Sequence, residues 1–261
     1  MAELRQTAGR TIVLIPARMA STRLPGKPLA DIHGSPMIVH CLRRAEAAGV
    51  GPVAVACAEA EIRDAVEAAG GRAVLTRPDH PTGSDRICEA LGLLDPARDF
   101  DTVVNLQGDL PSLEPRLLAE VLRPLSEPAV DIASLVVEIG EEETEVRRNP
   151  NVPKVACDFA PGSDIARAAY FSRAPVPWTG DQDRLPLYYH IGLYALRRDA
   201  LERFVALPPS PLEQRERLEQ LRAIEAGMRI DVVRVDTIPH GVDTPADLAL
   251  ARDMLAPGSA G

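Results

Sequence analysis

The chain has 261 residues, of which 46% are hydrophobic and 3% aromatic, and its formal net charge is -9. This length suits one large α/β domain or two small ones, and the negative charge argues against general nucleic-acid binding. No apolar run is long enough to span a membrane and the first six residues carry no apolar signal-peptide core, so we expect a cytoplasmic protein.

Strand and helix patterns alternate through the first part of the chain. Strands are predicted at residues 11–15, 53–57, 72–75 and 102–106, and helices at 36–48, 59–69 and 84–94. Thr82 or Ser84 is expected to cap the third helix. This alternation predicts an α/β fold with a mostly parallel, doubly wound sheet and right-handed crossovers.

The pattern becomes less regular after Pro124. Strands are predicted at residues 131–139, 153–159, 165–170, 188–196 and 230–235, helices at 199–206, 212–226 and 244–254, and a proline-rich loop at 172–186. We expect a single domain, 1–261, in which residues 131–186 form a smaller inserted region. That region would cover the substrate site or form an oligomer contact.

A cationic loop follows the first predicted strand. It contains Arg18, Ser21, Arg23 and Lys27 within ten residues, in a chain that is acidic overall. Loops at the carboxyl ends of strands in open α/β sheets are where ligands bind. The three cations therefore indicate an anionic ligand such as a phosphate chain, with a merely solvated basic loop as the alternative.

Two aspartates are candidates for metal binding. Asp109 ends the run Val103–Asp109 after a predicted strand, and Asp243 precedes a helix start in which Thr244 fits the N-cap and Pro245 the first helical position. Mg²⁺ usually combines one or two protein carboxylates with waters and substrate phosphates. Both residues are predicted at the ligand edge of the sheet, and each has an alternative as a turn aspartate that bonds its own backbone.

A third candidate segment opens the predicted helix at residues 84–94. The amides of Gly83 and Ser84 and the Ser84 hydroxyl are placed to meet a base or ribose, and Arg77 and Arg86 would add positive charge. We do not predict a catalytic base at His80. The sequence has no G-x-S-x-G, no G-x-G-x-x-G and no P-loop, so the cationic loop is neither a dinucleotide fingerprint nor an ATPase loop.

Long motifs extend from Thr11 to Met254. They read I-P-A-R-M-A-S-T-R-L-P-G-K-P, T-R-P-D-H-P-T-G-S-D-R-I, N-L-Q-G-D, S-R-A-P-V-P-W, H-I-G-L-Y, P-S-P-L-E, L-E-Q-L-R and G-V-D-T-P-A-D-L. In this order they resemble the 3-deoxy-manno-octulosonate (Kdo) cytidylyltransferases, or CMP-Kdo synthetases. The resemblance implies a GT-A-like nucleotidyltransferase fold. It also implies a Mg²⁺-dependent and usually dimeric enzyme that joins CTP and Kdo into CMP-Kdo and pyrophosphate for lipopolysaccharide assembly in Gram-negative bacteria.

The resemblance also implies roles for individual residues. The triphosphate would be held by Arg18, Ser21, Arg23 and Lys27, and the cytidine would be framed by Arg77, Gly83, Ser84 and Gln107. Asp109 and Asp243 would hold Mg²⁺ and, with Lys27 and Arg18, form the catalytic group. The residues on the sugar side would be Arg173, His190, Tyr194, Glu216, Glu219 and Gln220.

The chain departs from the family pattern at two positions. Ala58 and Leu110 stand where the family usually has acidic residues. The absence of these two carboxylates affects how many metal ions the site is expected to hold and which sugar it is expected to accept. Two alternatives therefore stay open, a cytidylyltransferase for another acid sugar (sialic acid or an amino analogue of Kdo) and a catalytically silent nucleotide-binding protein.

Overall fold

The computed structural model describes residues 10–21, 23–178 and 186–256. The chain divides into two compact units, one formed by Met1–Ala119 with Pro239–Gly261 and the other by Glu120–Ile238. Within the described ranges no helix combines the length and the apolar character that crossing a membrane requires.

The first unit alternates strands and helices as the sequence predicts. Its strands are β1 (Thr11–Ala17), β2 (Asp31–Ile32), β3 (Ser35–Pro36), β4 (Val53–Cys57), β5 (Ala73–Leu75) and β6 (Thr102–Asn105). Its helices are α1 (Met37–Ala47), α2 (Ala60–Ala68), α3 (Gly83–Leu94), α4 (Arg116–Glu120), whose last residue already belongs to the second unit, and the helix Pro245–Met254. A short 3-10 helix spans Lys27–Leu29.

The main sheet of this unit is parallel. Its strand order is β5–β4–β1–β6, and β1 lies between β4 and β6. Val13, Leu14 and Ile15 of β1 are fully buried, and each such side chain stabilises the fold by roughly 1.5–3 kcal/mol. The sheet confirms the predicted α/β class. Because the strands are parallel, the loops that follow them open at one edge.

The second unit is built on a mixed sheet. Its strands are β7 (Ile132–Ile139), β8 (Lys154–Ala156), β9 (Ile165–Arg167), β10 (Tyr170–Ser172), β11 (Leu187–Arg197) and β12 (Ile230–Val235). The order β11–β7–β12–β9 contains a parallel β7–β12 pair between antiparallel neighbours, and β8 pairs antiparallel with both β10 and β11. The helices are α5 (Thr144–Arg148), α6 (Arg198–Ala206), α7 (Pro211–Glu216) and α8 (Leu221–Glu225), and a 3-10 helix spans Arg123–Ser126.

Three predicted elements of the second unit are wrong in their extent. The helix predicted at residues 212–226 is two short helices, because Arg217 adopts a left-handed conformation with φ 55° and ends α7. The strand predicted at 165–170 is split into β9 and β10. Its backbone changes partner there, since the amide of Ala168 donates to Ile230 and that of Ala169 to Ala156. The strand predicted at 153–159 is limited to β8.

Three short elements were not predicted, and one predicted loop lies partly outside the described residues. The β2–β3 hairpin and the five-residue helices α4 and α5 had no recognised signal in the sequence. Of the predicted proline-rich loop, residues 179–185 lie outside the described ranges. Trp178, just before them, is largely exposed.

Candidate active site

A cleft of about 400 Å³ lies at the edge of the first unit where the parallel strands end. Its lining residues are Pro16, Ala17, Arg18, Ala20, Ser21, Arg23, Lys27, Pro28, Thr82, Gly83, Arg86, Gln107, Gly108 and Asp109. The cationic loop, the start of α3 and the segment after β6 therefore meet, as expected from their places after parallel strands. This cleft contains most of the predicted nucleotide residues.

The cationic loop is held in place by backbone contacts. Gly26 adopts a left-handed conformation with φ 71°, and its amide donates to the carbonyl of Met19 over 3.4 Å. The amide of Met19 in turn donates to a carboxylate oxygen of Glu59 over 3.1 Å. The loop is thus closed on itself and tied to the residue before α2. Glu59 had not been recognised as part of the site, although it follows Ala58 at the end of β4.

The amino terminus of α3 forms one wall of the cleft. Thr82 is the N-cap, because its side chain accepts a hydrogen bond from the amide of Asp85 over 3.2 Å. A side chain at Gly83 would lie 3.2 Å from the ring of Pro16, so the helix start packs closely on the end of β1. The first amides of the helix can therefore approach an anion in the cleft directly.

Arg86 supplies a buried cation to the same wall. Its guanidinium donates to the hydroxyl of Thr76 over 2.6 Å and to the carbonyl of Arg77 over 3.0 Å. Burial lowers the pKa of Arg86, and the charge of Glu59 acts in the opposite direction. Arg86 was expected only to add positive charge, yet it is the arginine of this segment that lines the cleft.

Two of the predicted cytidine residues do not line the cleft. Arg77 has an exposed side chain whose Nε lies 3.6 Å from the carboxylate of Glu89, and Ser84 is buried in the first turn of α3. Gln107 does line it, and its amide donates to Asn105 over 3.4 Å. Gly83 and Gln107 thus line the cleft, whereas the side chain of Arg77 contacts Glu89.

Asp109 is placed by the close packing of the glycine before it. A side chain at Gly108 would lie 2.9 Å from the backbone oxygen of Pro16 and 3.2 Å from Ile38, closer than such atoms normally approach. The backbone carbonyl of Asp109 accepts a hydrogen bond from the amide of Val242 over 2.9 Å. This bond brings the residues before Asp243 alongside Asp109.

Asp243 stands before a helix with a complete capping box. The hydroxyl of Thr244 accepts from the amide of Asp247, and the carboxylate of Asp247 accepts from the amide of Thr244, as the predicted cap requires. Burial alone would raise the pKa of Asp247, but hydrogen bonds from Thr244 and from the Asp243 amide lower it. The cap fixes the backbone of Asp243 and leaves its carboxylate to face other partners.

Lys27 joins the two aspartates. Its ammonium lies 2.8 Å from Oδ2 of Asp109 and 3.1 Å from Oδ1 of Asp243, and Arg23 contacts the other oxygen of Asp243 over 2.9 Å. Burial by itself would lower the pKa of Lys27, but the two carboxylates outweigh it and raise the pKa. Residues far apart in sequence therefore converge on one cationic centre.

The donor set fits a divalent ion that also binds a nucleotide. Among the described residues no group of three or more His, Cys, Asp and Glu side chains is arranged to hold a metal. Two carboxylates that already share one cation, beside a cleft lined by cations, match the partial protein coordination typical of Mg²⁺ on a phosphate chain. The neutral residues Ala58 and Leu110 add no further carboxylate.

The predicted sugar-side residues all belong to the second unit. Arg173 donates through its guanidinium to three backbone carbonyls, those of Glu216 (2.7 Å), Pro150 (2.8 Å) and Arg217 (3.3 Å). The carboxylate of Glu216 accepts from the hydroxyl of Ser172 over 2.9 Å and from the amide of Arg173 over 2.8 Å. Arg173 and Glu216 thus hold β10 against the end of α7.

His190 and Gln220 form a buried cluster with Ser134, and the half-buried Tyr194 lies beside it. The Nε2 of His190 lies 2.9 Å from the Ser134 hydroxyl, and Nδ1 lies 3.4 Å from the amide nitrogen of Gln220. Burial lowers the pKa of His190 to about 3, so the ring is neutral at physiological pH. The Tyr194 ring lies 5.4 Å from that of His190. Ser134 had not been recognised in the sequence.

Tyr194 also interacts with Glu219. Burial, followed by the negative charge of Glu219, raises the pKa of Tyr194, which therefore keeps its proton. The structure thus brings four of the six predicted sugar-side residues, His190, Tyr194, Glu219 and Gln220, into one neighbourhood. The other two, Arg173 and Glu216, are engaged with each other.

Comparison with known proteins identifies the family. The family model described as Cytidylyltransferase matches residues 12–230. A 3-deoxy-manno-octulosonate cytidylyltransferase of Paramagnetospirillum magneticum is 61% identical over 244 residues, covering 94% of this chain and 97% of the relative. One from Rhodopseudomonas palustris strain HaA2 is 64% identical over 250 residues, covering 96% and 99%.

A solved structure agrees with the sequence relatives. It is that of a CMP:2-keto-3-deoxy-manno-octonic acid synthetase complexed with CTP, which superposes with a TM-score of 0.86 at 40% identity and covers 95% of this chain and 98% of its own. Fold, motifs and relatives therefore agree. The chain belongs to the 3-deoxy-manno-octulosonate cytidylyltransferase family.

Proposed function

We propose that this chain transfers CMP from CTP to the anomeric hydroxyl of Kdo, with release of pyrophosphate, and that the product serves lipopolysaccharide assembly. The relatives named for this reaction match nearly the whole chain. The observation that carries the proposal is the convergence of Lys27, Asp109 and Asp243 beside a cationic cleft. The arrangement provides a place for a nucleoside triphosphate and a divalent cation together.

The cleft residues bind and neutralise the triphosphate. Arg18, Arg23 and Lys27 supply positive charge, Ser21 a hydroxyl, and the start of α3 backbone amides. Gly83 and Gln107 are proposed to frame the cytidine, with Arg86 as the buried cation of that wall. Arg77 and Ser84 stay proposed nucleotide residues, although neither lines the cleft.

Asp109 and Asp243 are proposed to hold Mg²⁺, and Lys27 would then turn from the two carboxylates to the phosphates. When bound, the ion would supply Lewis-acid polarisation of the phosphate oxygens and lower the pKa of the attacking hydroxyl. In the reaction the sugar oxygen bonds to the α-phosphorus and the bond to pyrophosphate breaks. The protein contributes alignment and charge neutralisation, the main needs of such a transfer.

We propose that six residues of the second unit bind the sugar: Arg173, His190, Tyr194, Glu216, Glu219 and Gln220. In the described part of the chain, the Tyr194 hydroxyl and the side-chain oxygen Oε1 of Gln220 have no hydrogen-bond partner. They are thus the atoms of this group most available to sugar hydroxyls. The carbonyl contacts of Arg173 give it a second, structural role beside the proposed one.

We also propose a cytoplasmic homodimer whose contact lies in the inserted region, residues 131–186. Size-exclusion chromatography with light scattering tests the dimer, and cross-linking followed by peptide mapping tests the contact. Cross-links confined to residues outside 131–186 would contradict it.

An assay of pyrophosphate release tests the function. CTP, Mg²⁺ and Kdo should give rapid release, whereas UTP and ATP should not replace CTP. Release with sialic acid or an amino analogue of Kdo, but not with Kdo, would show that the chain is a cytidylyltransferase for that other acid sugar. The neutral residues Ala58 and Leu110, which stand where the family usually has acidic residues, motivate this alternative. CTP binding without release for any acid sugar would identify a silent nucleotide-binding protein.

A further inference from the structure

Ser134 connects β7 to an irregular part of β11. Its side chain is fully buried, and its Oγ lies 2.9 Å from Nε2 of His190, 3.0 Å from the carbonyl oxygen of Ile191 and 2.9 Å from that of Leu193. The pairing register of β11 shifts between Ile191 and Tyr194, which is why two carbonyls point at one hydroxyl.

The number of available protons determines how these groups bond. A serine hydroxyl has one proton, and a carbonyl oxygen can only accept. If Ser134 gave its proton to His190, its oxygen would face two carbonyl oxygens at about 3 Å with no hydrogen between them. The proton therefore points to the carbonyls of Ile191 and Leu193, and Nε2 of His190 must donate to Ser134.

This assignment fixes the second nitrogen of the ring. With the proton on Nε2, Nδ1 of His190 is an acceptor, and the amide nitrogen of Gln220 lies 3.4 Å away as its donor. The ring stays neutral because burial disfavours its charged form. Both ring nitrogens are occupied, so His190 is not the base that accepts the proton of the sugar hydroxyl.

We propose that Ser134 is a positioning residue that holds His190 as the neutral Nε2–H tautomer and through it orients the amide of Gln220. The side-chain nitrogen Nε2 of Gln220 is then bound to Nδ1 of His190, and its side-chain oxygen Oε1, which has no partner among the described residues, is the atom presented to a substrate hydroxyl. The substrate part of this proposal rests on the proposed function. The tautomer does not, because it follows from contacts within the second unit.

The tautomer is tested directly by nuclear magnetic resonance. Protein labelled with ¹⁵N in histidine should show, at neutral pH, a protonated Nε2 and a bare Nδ1 for His190, identified by loss of the signals in His190→Gln. A protonated Nδ1, or an imidazolium, in the unmodified protein would overturn the proposal whether or not the enzyme is active.

The positioning role is tested with variants of Ser134. In Ser134→Ala, the Nδ1–H tautomer should become populated, and the KM for the acid sugar should rise about five- to tenfold while the KM for CTP stays unchanged. Ser134→Thr keeps the hydroxyl, so the Nε2–H tautomer of His190 and the KM for the acid sugar should both be those of the unmodified protein. The control is Ser126→Ala, which removes an exposed hydroxyl bonded to Arg123 in the same unit.

Two results with Ser134→Ala would contradict the positioning role. An unchanged tautomer together with an unchanged KM would show that Ser134 does not act through His190. An equal rise in the KM for both substrates would show only a structural role. If no sugar supports turnover in the unmodified protein, the proposed function fails, while the spectroscopic result still decides the tautomer.

Discussion

The ammonium of Lys27 lies 2.8 Å from a carboxylate oxygen of Asp109, and the same ammonium reaches Asp243 over 3.1 Å. Lys27 is thus in the position between the two carboxylates that a divalent ion would require. The lysine and the ion must compete for these oxygens until a triphosphate offers the lysine another partner. The first prediction follows from this competition.

Replacing Lys27 by methionine should strengthen metal binding in the absence of nucleotide and weaken CTP binding. The substitution removes the cation that neutralises Asp109 and Asp243, so a divalent ion meets two unscreened carboxylates, while the triphosphate loses one cation. Titration with Mn²⁺ followed by electron paramagnetic resonance measures the first effect and calorimetry the second. Arg72→Met, which removes an exposed cation of the same unit, is the control. Equal Mn²⁺ affinity in the unmodified protein and Lys27→Met would refute the competition.

Asp109→Asn and Asp243→Asn should each lower kcat by about two to three orders of magnitude, the range seen on losing a single charge-stabilising group. CTP binding should persist, because the cations of the cleft remain. Pyrophosphate release and calorimetry separate the two effects. Asp253→Asn, an exposed change in the helix Pro245–Met254, should leave both unchanged. Near-normal turnover in either site variant would remove that aspartate from the metal site.

Gly108→Ala should reduce activity and stability together. The added Cβ would lie 2.9 Å from the backbone oxygen of Pro16, so the backbone must shift and carry Asp109 with it. The matched control is Gly92→Ala within α3, where a Cβ meets nothing within 4 Å. It should stabilise the protein by about 0.5–1 kcal/mol, because alanine favours a helix over glycine. Thermal denaturation and turnover of both variants test this, and a fully active Gly108→Ala would count against the close packing.

Arg173→Lys should destabilise the protein by about 1–2 kcal/mol. The guanidinium donates to three carbonyls in a fixed geometry, and a single ammonium cannot reach all three. Chemical denaturation measures the change, and Arg215→Lys, at an exposed position of the same unit, is the control. A stability equal to that of the unmodified protein would leave Arg173 with a purely substrate-related role.

His190 should make the free energy of unfolding depend on pH in the acidic range. Its pKa is about 3 in the native state, below the ordinary histidine value of 6.5, so only the unfolded state takes up this proton between those values. The free energy of unfolding should therefore fall as the pH drops through this window, by about 2 kcal/mol from about pH 7 to about pH 5.

Urea denaturation at both pH values measures this loss. His190→Gln should remove most of it, whereas His33→Asn, which alters an exposed histidine with a positive φ, should retain it. The same pH dependence in all three proteins would show that His190 is not the group responsible.

Much of the first unit follows from local sequence signals. The apolar run of β1 and the helical spacing of α1 were enough to predict both elements nearly to their ends. The Thr244 cap was predicted from the residue types alone and is a complete capping box. Asp109 and Asp243 were expected near each other, and both contact Lys27. Their binding of a metal stays a prediction.

The second unit shows where such signals end. The contact of Ser134 with His190 spans 56 positions, and it depends on a register shift that no local pattern encodes. Arg217 interrupts a helical pattern without glycine or proline, so the break was not predicted. The carbonyl partners of Arg173 were likewise out of reach, because backbone contacts leave no mark on residue type.

The most direct test of the account is to follow the phosphorus atoms of CTP during the reaction. In ³¹P spectra of this protein with CTP, Kdo and Mg²⁺, the triphosphate signals should be replaced by one phosphodiester signal and free pyrophosphate in equal amounts. The reaction should require the sugar and should be slower by about two to three orders of magnitude in Asp109→Asn. CTP that remains intact, or that breaks down to CDP and phosphate, would contradict the proposed transfer of CMP.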